Sequence, residues 1–182
     1  SGHRWADLSE PGYGVSLLND CKYGWDIKGN VMRLSLLRAP ENPDPDADRG
    51  EHEFTYTLFP HKGGWTEGTL QAGHELNVPL KACATSSHSG SFPSRHSFIT
   101  VDRPGVIVDA VKQAEDDGSI IVRLYEAYGS RGPVTLTFHK PLASACECNL
   151  LEEEEKHLPT GGQNICLNIR PFEVRTFKVV IE

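Results

Sequence analysis

The sequence predicts an all-β protein: an antiparallel β-sandwich of two or more stacked sheets, with about ten strands in a single domain spanning 1–182. Three observations carry this. Short segments with apolar residues at every second position recur from one end to the other. No stretch keeps helical spacing over the roughly 11 residues that a helix assignment requires. Between the segments, Gly29-Asn30, Asp116-Asp117-Gly118, Gly129-Ser130-Arg131-Gly132-Pro133 and Thr160-Gly161-Gly162 supply positive φ, or proline's fixed φ, where the chain reverses.

The first strand-like run is 14–18, followed by alternation at Met32, Leu34 and Leu36. In 51–58, Phe54, Tyr56 and Leu58 alternate with Glu53, Thr55 and Thr57, so the three large side chains are expected to enter a core. Further strands are expected over 96–101, 105–113, 120–128, 134–139, 146–151, 165–169 and 173–181. Two loops interrupt them. The segment 39–50 holds three prolines and a series of acids, which fit neither strand nor helix and belong at the surface. The segment 83–95 is rich in Ser and His. The acidic run 152–155 reads as a solvated strand end or turn, and no internal repeat of 20–50 residues is present.

Composition narrows the function classes. A formal net charge of -7 opposes any partner held through phosphates, so nucleic acid is not expected. No apolar run approaches the roughly 20 residues that cross a bilayer, so no membrane association is expected. The start at Ser1 lacks the apolar core of a signal peptide, the five cysteines are odd in number, and no Asn-x-Ser/Thr sequon is present. Together these lead us to expect a cytoplasmic protein.

Chemistry is sparse. A glycosidase needs two carboxylates across a cleft, and the acids here crowd into the 39–50 loop and the 152–155 run. No catalytic residue is expected in this chain. Cys146 and Cys148 are a tight pair on one strand face, with Cys166 a companion that could lie nearby; small buried core residues are favoured over metal ligands, and no metal is assigned. Gly-x-Ser-x-Gly is absent, and no helix follows the glycine-rich Gly63-Gly64 to form a phosphate site. Trp65 and Trp25 could each stack on a sugar ring, Trp65 from an exposed loop.

Arg4-Trp5-Ala6-Asp7-Leu8-Ser9-Glu10, then Gly12-Tyr13-Gly14-Val15-Ser16-Leu17-Leu18-Asn19-Asp20-Cys21-Lys22-Tyr23-Gly24, then Leu34-Ser35-Leu36-Leu37-Arg38-Ala39-Pro40 and His52-Glu53-Phe54-Thr55-Tyr56 follow one another in order. In this series the chain resembles the carboxy-terminal region of cytosolic α-mannosidases of glycoside hydrolase family thirty-eight. Agreement is dense over about the first 60 residues and loose after Pro60.

The resemblance implies retaining hydrolysis of terminal α-mannosidic bonds in mannose-containing oligosaccharides, with a bound zinc or cobalt ion. In that family the reacting groups sit in an amino-terminal (β/α) catalytic domain. The chain is therefore expected to be inactive alone, to lean on that missing domain through an exposed apolar face, and to share any homo-oligomer of the parent enzyme. An arginine from this region can reach toward the bound sugar, for which Arg38 and Arg49 are the candidates, with Trp65 as a third substrate contact. Arg49 is read first as neutralising Asp44, Asp46 and Asp48, and Asn19-Asp20 first as a turn. The alternatives are an independent carbohydrate-binding module and a protein-interaction sandwich.

Overall fold

A computed structural model describes residues 1–66, 68–160 and 162–182. Strands dominate, so the all-β reading holds. Gly161 of the expected Thr-Gly-Gly turn lies outside the described residues. Contacts gather into two compact units, Ser1–Ser87 and His88–Glu182, where the sequence reading took one domain. The physical reason lies in 78–98, which holds neither helix nor strand, and among the described residues every strand ladder stays within one unit. Each unit is described by itself.

In the first unit the elements are β1 (Trp5–Glu10), β2 (Tyr13–Asn19), β3 (Gly24–Lys28), β4 (Val31–Ser35), β5 (Tyr56–His61) and α1 (Thr69–Asn77). Strands β1, β2 and β5 form an antiparallel sheet with β2 central, and β3 and β4 form a separate hairpin. Register places Asp7 opposite Ser16, and Gly14 opposite both Ser9 and His61. One face therefore carries Trp5, Asp7, Ser16 and His61 and meets α1, while the other carries Leu8, Val15, Leu17 and Leu58.

Two expectations fail here. No helix was foreseen, yet α1 forms, because the residues it buries are Thr69 and Gly73 rather than an apolar stripe. Small residues let the helix approach closely: a Cβ on Gly73 would lie 2.7 Å from Cδ1 of Trp5. The expected inward face of 51–58 is also reversed. The ladder begins only at Tyr56, Tyr56 and Leu58 are 56% and 67% exposed, and His61 is the buried member. Period-two alternation defines two faces, but α1 decides which one is covered.

In the second unit the strands are β6 (Ile99–Val101), β7 (Val106–Gln113), β8 (Ile120–Glu126), β9 (Gly132–Phe138), β10 (Leu142–Cys148), β11 (Glu154–His157), β12 (Asn164–Ile169) and β13 (Val174–Ile181). One sheet runs β11-β10-β13-β8-β7 and the other β12-β9-β6. Their inner faces share a core in which Val122, Leu124, Val134, Leu136, Phe138 and Phe177 are each at most 1% exposed. Burial of such side chains, about 1.5–3 kcal/mol apiece, is what holds two sheets face to face. The expected strand 146–151 starts earlier, at Leu142, and stops at Cys148; of the acidic run, Glu154 and Glu155 open the exposed edge strand β11, in keeping with the solvated strand end among the two readings.

Candidate functional site

The sheet of the first unit is polar on its covered face and apolar on its open one. On the covered side Asp7 Oδ2 lies 2.8 Å from His61 Nε2 and accepts from the Ser16 hydroxyl at 3.0 Å. Ser16 Oγ is 3.2 Å from the same His61 Nε2 and 2.6 Å from Thr69 Oγ1 on α1. Residue types match a Ser-His-Asp triad, but the geometry does not: both partners converge on Nε2, whereas a triad needs the acid on Nδ1. His61 Nδ1 is buried without a hydrogen-bond partner, and Ser16 has no exposed surface. The network is a buried polar clamp that fixes α1 to the sheet.

On the open side Leu8, Tyr13, Val15, Leu17 and Leu58, with Met32 from the β3–β4 hairpin, line a groove of about 580 Å³. Tyr13 is 55% exposed at its rim. On this side Leu58 is 67% exposed while Leu8, Val15 and Leu17 are half-buried, an apolar surface suited to a further cover.

The sequence-predicted site residues are not brought together. Arg38 lies beyond the end of β4 at Ser35, not on a strand, and its exposed side chain rises from a backbone N–H that donates to Asp48 Oδ2 at 3.2 Å. Ala39 N–H donates to the same oxygen at 2.5 Å, so Asp48 ties down the start of the 39–50 loop. Arg49 pairs with Asp46 at 2.8 Å in solvent. Trp65 is half-buried, its ring stacked on Trp5 with centroids 5.5 Å apart. Trp25 donates from Nε1 to Gly2 O at 3.0 Å. Asn19 Oδ1 accepts from Lys22 N–H at 2.5 Å, the geometry of turn capping, whereas Asp20 Oδ2 accepts from Thr55 N–H at 2.9 Å and ties the end of β2 to the segment before β5.

In the second unit Cys146 and Cys148 are buried on β10, whereas Cys166 is exposed on β12 of the other sheet. Sequence reasoning missed Glu126, which is 1% exposed. Burial acts to raise its pKa, but donors overcome it: the N–H groups of Phe172, Tyr128, Gly129 and Ser130 and the Ser130 hydroxyl hold it down to about 2. Lys178, with Ser119 adding hydrogen bonds, lowers Asp117 to about 2. Asp20, Asp102, Glu152 and Glu173 also move downward.

Comparison with known proteins places this architecture. Residues 1–46 match the glycosyl hydrolases family 38 C-terminal domain, and 105–177 match the glycosyl hydrolases family 38 C-terminal beta sandwich domain. The chain belongs to the C-terminal part of glycosyl hydrolase family 38. It is 43% identical to Alpha-mannosidase 2C1 of Homo sapiens over 186 residues, covering 99% of this chain and 18% of that protein. An alpha-mannosidase of Saccharomyces cerevisiae is 35% identical over 199 residues, covering 97% of the chain and 18% of the relative. The chain thus spans about a fifth of the length of these family 38 relatives. In fold it is similar to the crystal structure of an alpha-mannosidase from Enterococcus faecalis, with a TM-score of 0.75 at 23% identity, over 97% of this chain and 20% of that one.

Proposed function

We propose that this chain is the non-catalytic C-terminal part of a retaining α-mannosidase that removes terminal α-D-mannose from oligosaccharides, and that it supports the cleft of a preceding (β/α) catalytic domain. The observation that carries this reading is the open apolar face of β1, β2 and β5 set against the polar, helix-covered face behind it. The relatives are more than five times as long as the chain, which leaves ample length to supply such a cover and supports the reading. Carboxylate chemistry points the same way. A glycosidase acid works with a raised pKa, and among the described residues each carboxylate with a clear shift is lowered.

In this reading the parent enzyme's zinc or cobalt ion is held by the catalytic domain, and Arg38 and Arg49 border the sugar from an exposed loop. Five free cysteines are in keeping with a cytoplasmic home. Trp65 as the platform of a free-standing sugar module is weakened by its stacking on Trp5.

The test joins the catalytic segment to this chain and measures hydrolysis of an aryl α-mannoside. The 182-residue chain alone should be inactive. Leu58→Asp, on a side chain that is 67% exposed, should leave the chain folded but cut the activity of the joined enzyme by at least about tenfold through faulty docking. Turnover by the chain alone, or full activity of the Leu58→Asp enzyme, would refute the reading.

A further inference from the structure

We propose that Cys146, Glu154 and His157 form a zinc site on the β10–β11 edge of the five-stranded sheet, with water completing the coordination. One ligand atom from each lies within 4.8 Å of the other two. Cys146 Sγ is 2.9 Å from His157 Nδ1 and 3.6 Å from Glu154 Oε2. A tetrahedral zinc with thiolate, imidazole and carboxylate ligands sets such atoms about 3.5 Å apart, within a small rotation of the two exposed side chains.

The backbone prepares this set. Register opposes Cys146 to His157 and Glu147 to Lys156, then shifts so that Cys148 meets Glu154. In an unbroken ladder Glu155 would oppose Cys148 and Glu154 would face the other side of the sheet. The irregularity removes Glu155 from the pairing and turns Glu154 to the cysteine face, the re-aiming that β-bulges perform beside functional sites.

Donor type and charge suit a divalent ion of borderline softness. On binding, the Cys146 thiol releases its proton to water and forms the Zn–S bond, so thiolate and Glu154 carboxylate together offset the two charges of the ion. Lys178 lies opposite Cys146 on β13, but its ammonium sits 2.8 Å from Asp117 and 3.5 Å from Glu154, so Asp117 already holds it. Cys148 is buried and bonded toward Cys146 O, but its register with Thr176 sets it on the face of β10 opposite the one that carries Ala145 into the sandwich core, so it is not the core residue that was expected.

Titration of the metal-free chain with zinc against a chromophoric chelator, and with cobalt(II) as spectroscopic probe, decides the matter. One equivalent should bind, and cobalt should give a thiolate charge-transfer band in the near ultraviolet. Cys146→Ser should abolish that band, and His157→Gln should weaken zinc binding at least about tenfold, while Cys83→Ser on the strand-free segment changes neither. Should Cys146→Ser fail to fold, His157→Gln on the exposed edge strand still decides. Absence of the thiolate band in the unaltered chain, its survival in Cys146→Ser, or unchanged zinc affinity in His157→Gln would each overturn the proposal.

Discussion

At the scale of single residues, Glu126 stands out as a buried carboxylate that accepts five hydrogen bonds. Its carboxylate closes the turn after β8 and also receives Phe172 N–H from the turn before β13, so one buried charge organises two chain reversals. Held near 2 against an ordinary 4.5, it contributes stability that is complete above about pH 5 and is lost as pH falls through the window between those two values. The depression corresponds to about 3 kcal/mol. Glu126→Gln keeps the shape but replaces one accepting oxygen with a donor aimed at N–H groups, and should cost about 2–3 kcal/mol at neutral pH. Urea midpoints of the two proteins should draw together as pH falls below about 5 and meet only near pH 2. A gap that stays constant between neutral pH and that point would show that the charge is not what the turns depend on.

At the scale of elements, α1 exists because its tertiary site accepts it, not because its sequence insists. Gly73→Ala would raise intrinsic helix propensity by about 1 kcal/mol. The added Cβ, however, would sit 2.7 Å from the Trp5 ring, whose retreat is blocked by Trp65 stacked on it. The clash should win, with a net loss of about 1–3 kcal/mol in a denaturant titration and a change in tryptophan fluorescence. A stabilised variant would mean that Trp5 moves freely.

The same balance explains what was legible in the sequence. Strands β8, β9 and β13 could be read directly, since Val122 and Leu124, Val134 and Leu136, and Phe177 and Val179 alternate into one core. Strands β1 and β3 could not, because Asp7 occupies an inward position of the former and Asp26 interrupts the latter. A polar residue at core parity was the available sign of the Asp7–Ser16–His61 clamp, whose members come together only through β1-β2-β5 register. Arg38 and Arg49 were visible as residue types, but their placement depends on Asp48 and Asp46, which sequence spacing does not rank.

At the scale of the whole molecule, the chain is two sets of ladders joined by a segment that belongs to neither. Between α1 and β6 the backbone from 78 to 98 enters no ladder, and side-chain hydrogen bonds within it reach only the next residue, as Thr85 to Ser86 O and His88 to Ser89 O do. Cleavage by a protease needs about ten residues of extended, unpaired chain, which costs little here and in the strand-free 36–55 loop, and a sheet's worth of contacts within the strands. Lys81 and Arg95 lie in 78–98 and are exposed. Brief digestion with trypsin should therefore cut first in these two loops, and cuts after Lys81 and Arg95 should leave fragments that end within about eight residues of the Ser87–His88 boundary. Arg123 in β8 and Lys178 in β13, central in the five-stranded sheet, should resist until global unfolding. Mass spectrometry of early time points distinguishes the outcomes: first cuts within β8 or β13, or simultaneous loss of the entire chain, would mean that the two sets of ladders unfold as one cooperative body.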